Sequence, residues 1–216
     1  MTNKSVPFGD ALSFGWETFR NNALFLIGVT IAVALITSVI EIAGNYGPTQ
    51  EGYFGFVVQV IGILVNAVLE MGVIAIMLAF KDNRMPEFVD LFKHAPLLFH
   101  FVAATFLFVV MVVVGLVFLI VPGIYLALRF GYYGYFIVDE EAGPIEALKK
   151  SSDLTEGVRM ELFAFCLLLL GLNIVGAAAL LVGLLVTMPL SQLAIAYVFR
   201  HLQGPVAEGP VSEWRV

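Results

Sequence analysis

Arg129 lies within the apolar run Ile124–Val138. A guanidinium inside such a run needs a partner or a path to water, because leaving it unpaired at bilayer depth is costly. Glu70, inside the apolar run Tyr53–Phe80, offers a partner. It stands 11 residues before Lys81, and Arg129 stands 10 before Asp139, so at about 1.5 Å per residue the two reach similar depth on helices running the same way. Two chemistries follow. In the first, a buried ion pair fixes the packing register of two helices, or Arg129 reaches towards the acidic cluster on the inner side. In the second, Arg129 and Glu70 line a polar cavity, Arg129 binding an anionic head group or substrate and Glu70 carrying a proton or cation. Tyr125, Tyr132 and Tyr133 fall three or four residues from Arg129, where they suit stacking on the guanidinium, hydrogen bonding or plain aromatic packing.

Other polar residues point to less. Asp139, Glu140 and Glu141 supply the hard oxygens that magnesium or calcium prefer, or form a solvated helix end. His94, His100 and His201 lack metal-ligand spacing, so no metal is expected. Cys166 stands alone in an apolar run and reads as a packing residue. Gln59, Asn66, His100, Asn173 and Gln192 read as interhelical hydrogen-bonding groups. The chain contains no GxSxG elbow, GxGxxG turn, P-loop or HExxH, so neither a catalytic residue nor a cofactor is expected.

Positioning these groups requires a membrane architecture. Hydrophobic residues make up 60% of the 216 and charged residues 13%, against roughly 45–50% and 25% in soluble domains. The formal net charge of −6 argues against a nucleic-acid partner, which needs clustered bases on one face. Ala23–Ala43 is long enough to cross a hydrocarbon core of roughly 30 Å. The composition of 44–52 then predicts a turn, followed by Tyr53–Phe80. A third span, Leu97–Val121, is expected to stop at Pro122 and Gly123, with the fourth, Ile124–Val138, returning as a tight hairpin. Leu162–Val186 is the fifth, broken by Pro189 before a short sixth, Leu190–Leu202. Gly123, Ala127 and Gly131 repeat every four residues, which would let another helix approach and make the fourth span central. Gly171, Gly176 and Ala179 suggest a second, less regular close-packing site.

Three segments before the hairpins carry apolar residues at helical spacing opposite charges: Phe8, Leu12, Trp16 and Phe19; Phe88, Leu91, Phe92 and Ala95; Ile145, Leu148 and Ser152. The expected fold is therefore an all-α integral membrane protein of six transmembrane helices in three hairpins, each preceded by an interfacial amphipathic helix. It forms a single membrane domain over 1–203 with a mobile cytoplasmic tail over 204–216. Ten of the eleven basic residues fall on one side of these spans, which places both termini in the cytoplasm and the chain in the cytoplasmic (inner) membrane.

Pro122-Gly123-Ile124-Tyr125-Leu126-Ala127-Leu128-Arg129-Phe130, Asp139-Glu140, Gly143-Pro144-Ile145-Glu146-Ala147-Leu148-Lys149-Lys150-Ser151 and Leu154-Thr155-Glu156-Gly157 resemble the membrane domain attached to some bacterial glycerophosphoryl diester phosphodiesterases and its stand-alone relatives. Ala196-Tyr197-Val198-Phe199-Arg200 is similar too. The resemblance implies a six-helix bundle with no assigned chemistry of its own, and the soluble catalytic barrel is absent from these 216 residues. The expected function is a non-enzymatic module binding membrane lipids, a membrane-protein partner or a second copy. The alternatives are a small-molecule or ion transporter using Glu70 and Arg129, and a lipid-processing enzyme.

Overall fold

A computed structural model describes residues 4–46, 53–179 and 182–204. The elements run α1 (Phe8–Asn21), α2 (Ala23–Tyr46), α3 (Tyr53–Lys81), the single turn α4 (Asp90–Lys93), a 3-10 turn (Ala95–Leu97), α5 (Leu98–Phe118), α6 (Ile120–Phe130), α7 (Tyr133–Glu140), α8 (Pro144–Leu154), α9 (Arg159–Ala178) and α10 (Leu184–Gln203). Among the described residues there is no strand. Four stretches are long and apolar enough to cross a membrane: Ala23–Gly44, Gly55–Lys81, Asp90–Phe118 and Arg159–Ala178. Most of the expected 44–52 turn, and the expected tail after Gly204, lie outside the described residues.

Burial separates core from rim. Half of the α3 span is buried within the protein, against 11% for α2 and 17% for α5, so α3 is central while α2 and α5 present apolar flanks such as Leu35, Val39, Phe106 and Val117. The other central element is α10, whose Leu193, Ala194, Ala196, Val198 and Phe199 are fully enclosed. It packs against α1, α2, α3 and α9. Close approach of α1 is permitted by Gly15, where a Cβ would stand 2.9 Å from the Leu190 carbonyl oxygen.

Several expected boundaries are corrected. The α5–α6 reversal falls at Leu119, in extended conformation (φ −165°, ψ 150°), rather than at Pro122 and Gly123. Pro122 instead lies in the first turn of α6, where a proline forfeits no intrahelical hydrogen bond. The run Ile124–Val138 is two helices, because the rod breaks at Gly131 and Tyr132. Neither piece alone, 11 and 8 residues long, reaches across roughly 30 Å. Its two halves also differ: in α7 everything from Tyr133 to Val138 is buried, whereas in α6 Gly123 alone is. Only the second half is central. Pro189 does not break the chain but lies inside α10, and α9 ends at Ala178. A proline this near a helix start removes a single i→i−4 bond.

The small-residue stripe is likewise narrower than its sequence period. Gly123 packs against Gly115 and Leu116 of α5, but Gly131 meets its own Ala127 carbonyl. Gly176 packs against Gly183 and Thr187, whereas Gly171 faces open space. The amphipathic faces hold in part: Phe19, Leu91, Leu148 and Ser152 are buried as expected. Ile145 is 76% exposed, and α8 also buries Ala147, Ser151 and Leu154. Trp16, Phe88 and Phe92 are exposed, while Ala11, Gly15 and Phe19 form the buried side of α1.

Candidate functional site

Where α6 stops, backbone groups lose their helical partners, and a low-dielectric setting makes them expensive to leave unpaired. Hydroxyls from α8 and the turn after it supply the replacement. Tyr132 N donates to Ser151 Oγ at 3.0 Å. Ser151 Oγ in turn donates to the Arg129 carbonyl at 3.1 Å, and Thr155 Oγ1 donates to the same carbonyl at 3.2 Å. Ser151 and Thr155 have no exposed surface and Ser152 little. Pro144 starts α8 at a position that needs no N–H donor. Gly157, at φ +85°, lets the chain turn beyond it.

The same joint holds the side chain of Arg129. Its Nε donates to Ser152 Oγ at 2.7 Å, and its guanidinium lies 5.1 Å from the Phe130 ring centre. A second cation converges there: Arg159, at the start of α9, donates to Tyr125 Oη at 2.5 Å and to the Ser152 carbonyl at 3.3 Å. It also stacks over the Tyr125 ring at 4.9 Å. Ser152 thus touches both guanidiniums. Among the described residues neither arginine is in an ion pair.

Arg200 shows the contrast. Its Nε and Nη2 grip the Asp82 carboxylate at 2.9 and 2.7 Å. Its Nη1 and Nη2 grip Asp139 at 2.5 and 2.7 Å, and Nη1 also reaches Gln203. Five donors meet five acceptors, which exhausts a guanidinium. This clasp ties the ends of α3, α7 and α10 together. The acidic cluster is therefore dispersed: Asp139 belongs to Arg200, Glu140 binds Lys150 at 2.8 Å, and Glu141 caps α7 in the left-handed region (φ 51°). Among the described residues no group of acids, histidines or cysteines is placed to hold a metal ion. Glu140 and Glu146 flank the Lys150 ammonium and push its pKa up. In return, the hydrogen bond from Lys150 holds the Glu146 carboxyl below the usual range.

Glu70 is not brought to Arg129. It lines a separate cavity of about 240 Å³ with Tyr133, Tyr135, Gly131 and Gln192. Of the three expected tyrosines, Tyr125 joins Arg159, and Tyr133 bonds Thr105 at 2.8 Å. Tyr132 buries its ring on Phe199, 5.8 Å between centres. Asn66 and Asn173 do bridge helices, to Thr37 at 3.1 Å and Ser191 at 2.9 Å. Sequence reasoning put Ser152 on the packing face of its segment without a role at the site, and missed Ser151, Thr155 and Arg159. The three hydroxyls at helical spacing on an otherwise charged segment were the available signal.

A family model described as a domain of unknown function (DUF7847) matches residues 93–210, which include α5 to α10. No curated protein and no solved structure matches the chain.

Proposed function

The chain belongs to the DUF7847 family, a domain of unknown function, and we propose that it is a non-enzymatic membrane module that binds the phosphate of an anionic phospholipid at Arg129 and Arg159. One observation carries this reading: two guanidiniums converge on Ser152 with neutral oxygens as their partners, while Arg200 is paired with the carboxylates of Asp82 and Asp139. Two uncompensated cations favour an anion, and planar N–H forks suit phosphate oxygens. A lipid is favoured over free phosphate because exposed apolar side chains flank the pair. Val121, Ile124 and Met160 are 76%, 37% and 79% exposed, offering surface for acyl chains.

In this reading α6 and α7 form one broken span and α10 a sixth, completing the three hairpins expected from hydropathy and the six-helix bundle that the resemblance to the phosphodiesterase membrane domain implies. The excess of bases on one side of the spans supports a position at the cytoplasmic face of the inner membrane for the ends of α3, α7 and α10. That face carries the surface to which anionic lipids draw cations.

The test is lipid retention. The full chain is purified from bacterial membranes in mild detergent and its phospholipids are quantified by mass spectrometry, for the wild type and for Arg129→Gln with Arg159→Gln. Backbone bonds at the joint use the Arg129 carbonyl rather than its side chain, so the variant keeps the break intact. The expected result is near-stoichiometric anionic lipid on the wild type and at least a tenfold loss in the variant at similar thermal stability. Equal retention in both would reject the site.

A further inference from the structure

Glu70 projects from α3 at 11 residues before Lys81, about 16 Å along the helix from its basic end. Among the described residues no ion pair meets its carboxylate. Arg129 turns to Ser152, and Arg200 is held by Asp82 and Asp139. A carboxylate this far inside an apolar belt calls for a counter-charge, and among the described residues none meets it.

Its surroundings describe the missing partner. The cavity of about 240 Å³ is bounded by Glu70, Gln192, Tyr133 and Tyr135, and by Gly131 at the C-terminal end of α6. The carbonyl end of a half-helix carries negative partial charge, and interrupted helices use it to hold cations inside membranes. The aromatic rings are held in place: Tyr133 packs on Phe108 at 5.2 Å and bonds Thr105, and Tyr135 packs on Phe199 at 4.9 Å. Magnesium and calcium call for six or more oxygens, usually several carboxylates, whereas this cavity holds one carboxylate, and among the described residues no metal-binding group of side chains occurs. The volume is several times the roughly 30 Å³ of a water molecule. Glu70 and Gln192 supply a carboxylate and an amide in a lining that also holds Val73, Ile74, Met77 and Ile195, a mixture that suits an alkylammonium, whose N–H groups need acceptors and whose chain tolerates apolar walls.

We infer that the Glu70 cavity is a binding site for a small protonated amine. It is distinct from the anionic-lipid site and does not depend on it.

The test uses the full chain in nanodiscs of phosphatidylcholine and phosphatidylglycerol, which contain no primary amine, with radiolabelled n-butylammonium in equilibrium dialysis at pH 7. The expected result is saturable binding of one equivalent per chain, weakened at least tenfold by Glu70→Gln and only partly by Glu70→Asp. The Arg129→Gln, Arg159→Gln variant should bind the amine as the wild type does, so a failure of the lipid reading leaves this one standing. The inference is overturned by no saturable binding up to 10 mM by folded wild type, or by equal binding by folded Glu70→Gln. If sodium ions compete fully at equimolar concentration, the site is selective for inorganic cations and the inference also fails. Addition of phosphatidylethanolamine to the nanodiscs should leave butylammonium binding unchanged; its displacement would identify the lipid head group as the occupant and overturn the assignment to a free amine.

Discussion

Ser151 does two jobs with one oxygen, accepting from Tyr132 N and donating to the Arg129 carbonyl. Ser151→Ala would orphan a buried N–H, and such losses cost about 1–3 kcal/mol. Equilibrium unfolding in mixed micelles should show a destabilisation of that size for Ser151→Ala and a smaller one for Thr155→Val, because the Arg129 carbonyl keeps Ser151 as a donor. No loss for Ser151→Ala would mean that the break is satisfied some other way. The charge of Arg129 was legible in the sequence as something needing a partner, but the partner was not. Equal depth along two helices suggested Glu70, and depth says nothing about which way a side chain turns around its helix. The hydroxyls of α8 decide that, and their helical spacing was the one mark that the charged connector 144–155 is a buried plug.

Among the elements, α3 and α10 owe their central positions to close backbone approaches that depend on single glycines. At Gly72 a Cβ would collide with the Leu91 backbone, whereas at Gly171 it would meet nothing within 4 Å. Gly72→Ala should therefore displace α4 and lower stability by roughly 1–3 kcal/mol, as overpacking does. Gly171→Ala should be neutral or slightly stabilising, since alanine is the better helix former. Melting temperatures in one detergent compare the two, and an equal response would contradict the packing described. At the clasp, Arg200→Gln leaves Asp82 and Asp139 facing each other. Because the arginine side chain is 12% exposed, the loss should approach the lower end of the roughly 3–5 kcal/mol found for broken buried pairs, and it should be read by unfolding in the same micelles. The long apolar helices were plain in the sequence, but their ends were not. Pro122 and Pro189 were read as breaks, yet a proline near a helix start is tolerated, and the true interruptions at Leu119 and at Gly131–Tyr132 carry no proline. Gly15 and Gly72 went unnoticed because isolated glycines show no period.

For the molecule as a whole, a long apolar helix needs no partner-specific information, so hydropathy alone reveals Ala23–Gly44, Gly55–Lys81, Asp90–Phe118 and Arg159–Ala178. The broken α6–α7 rod and the buried α10, which carries a proline and polar residues at its end, are harder to recognise, because tertiary contacts rather than composition hold them in place. The bundle combines exposed apolar flanks, a clasp that closes one end and two arginines that, among the described residues, form no ion pair. Its central claim is that this pair is where an anionic lipid docks. The most direct measurement reconstitutes the protein in vesicles containing a trace of phosphatidylglycerol photoreactive at the head group, then maps the crosslinked peptides after illumination by mass spectrometry. The account predicts labels concentrated on the peptides carrying Tyr125–Arg129 and Ser152–Met160, and absent with a zwitterionic probe of the same design. Labels spread evenly over all basic residues, or confined to Lys4, Lys149 and Lys150, would contradict it.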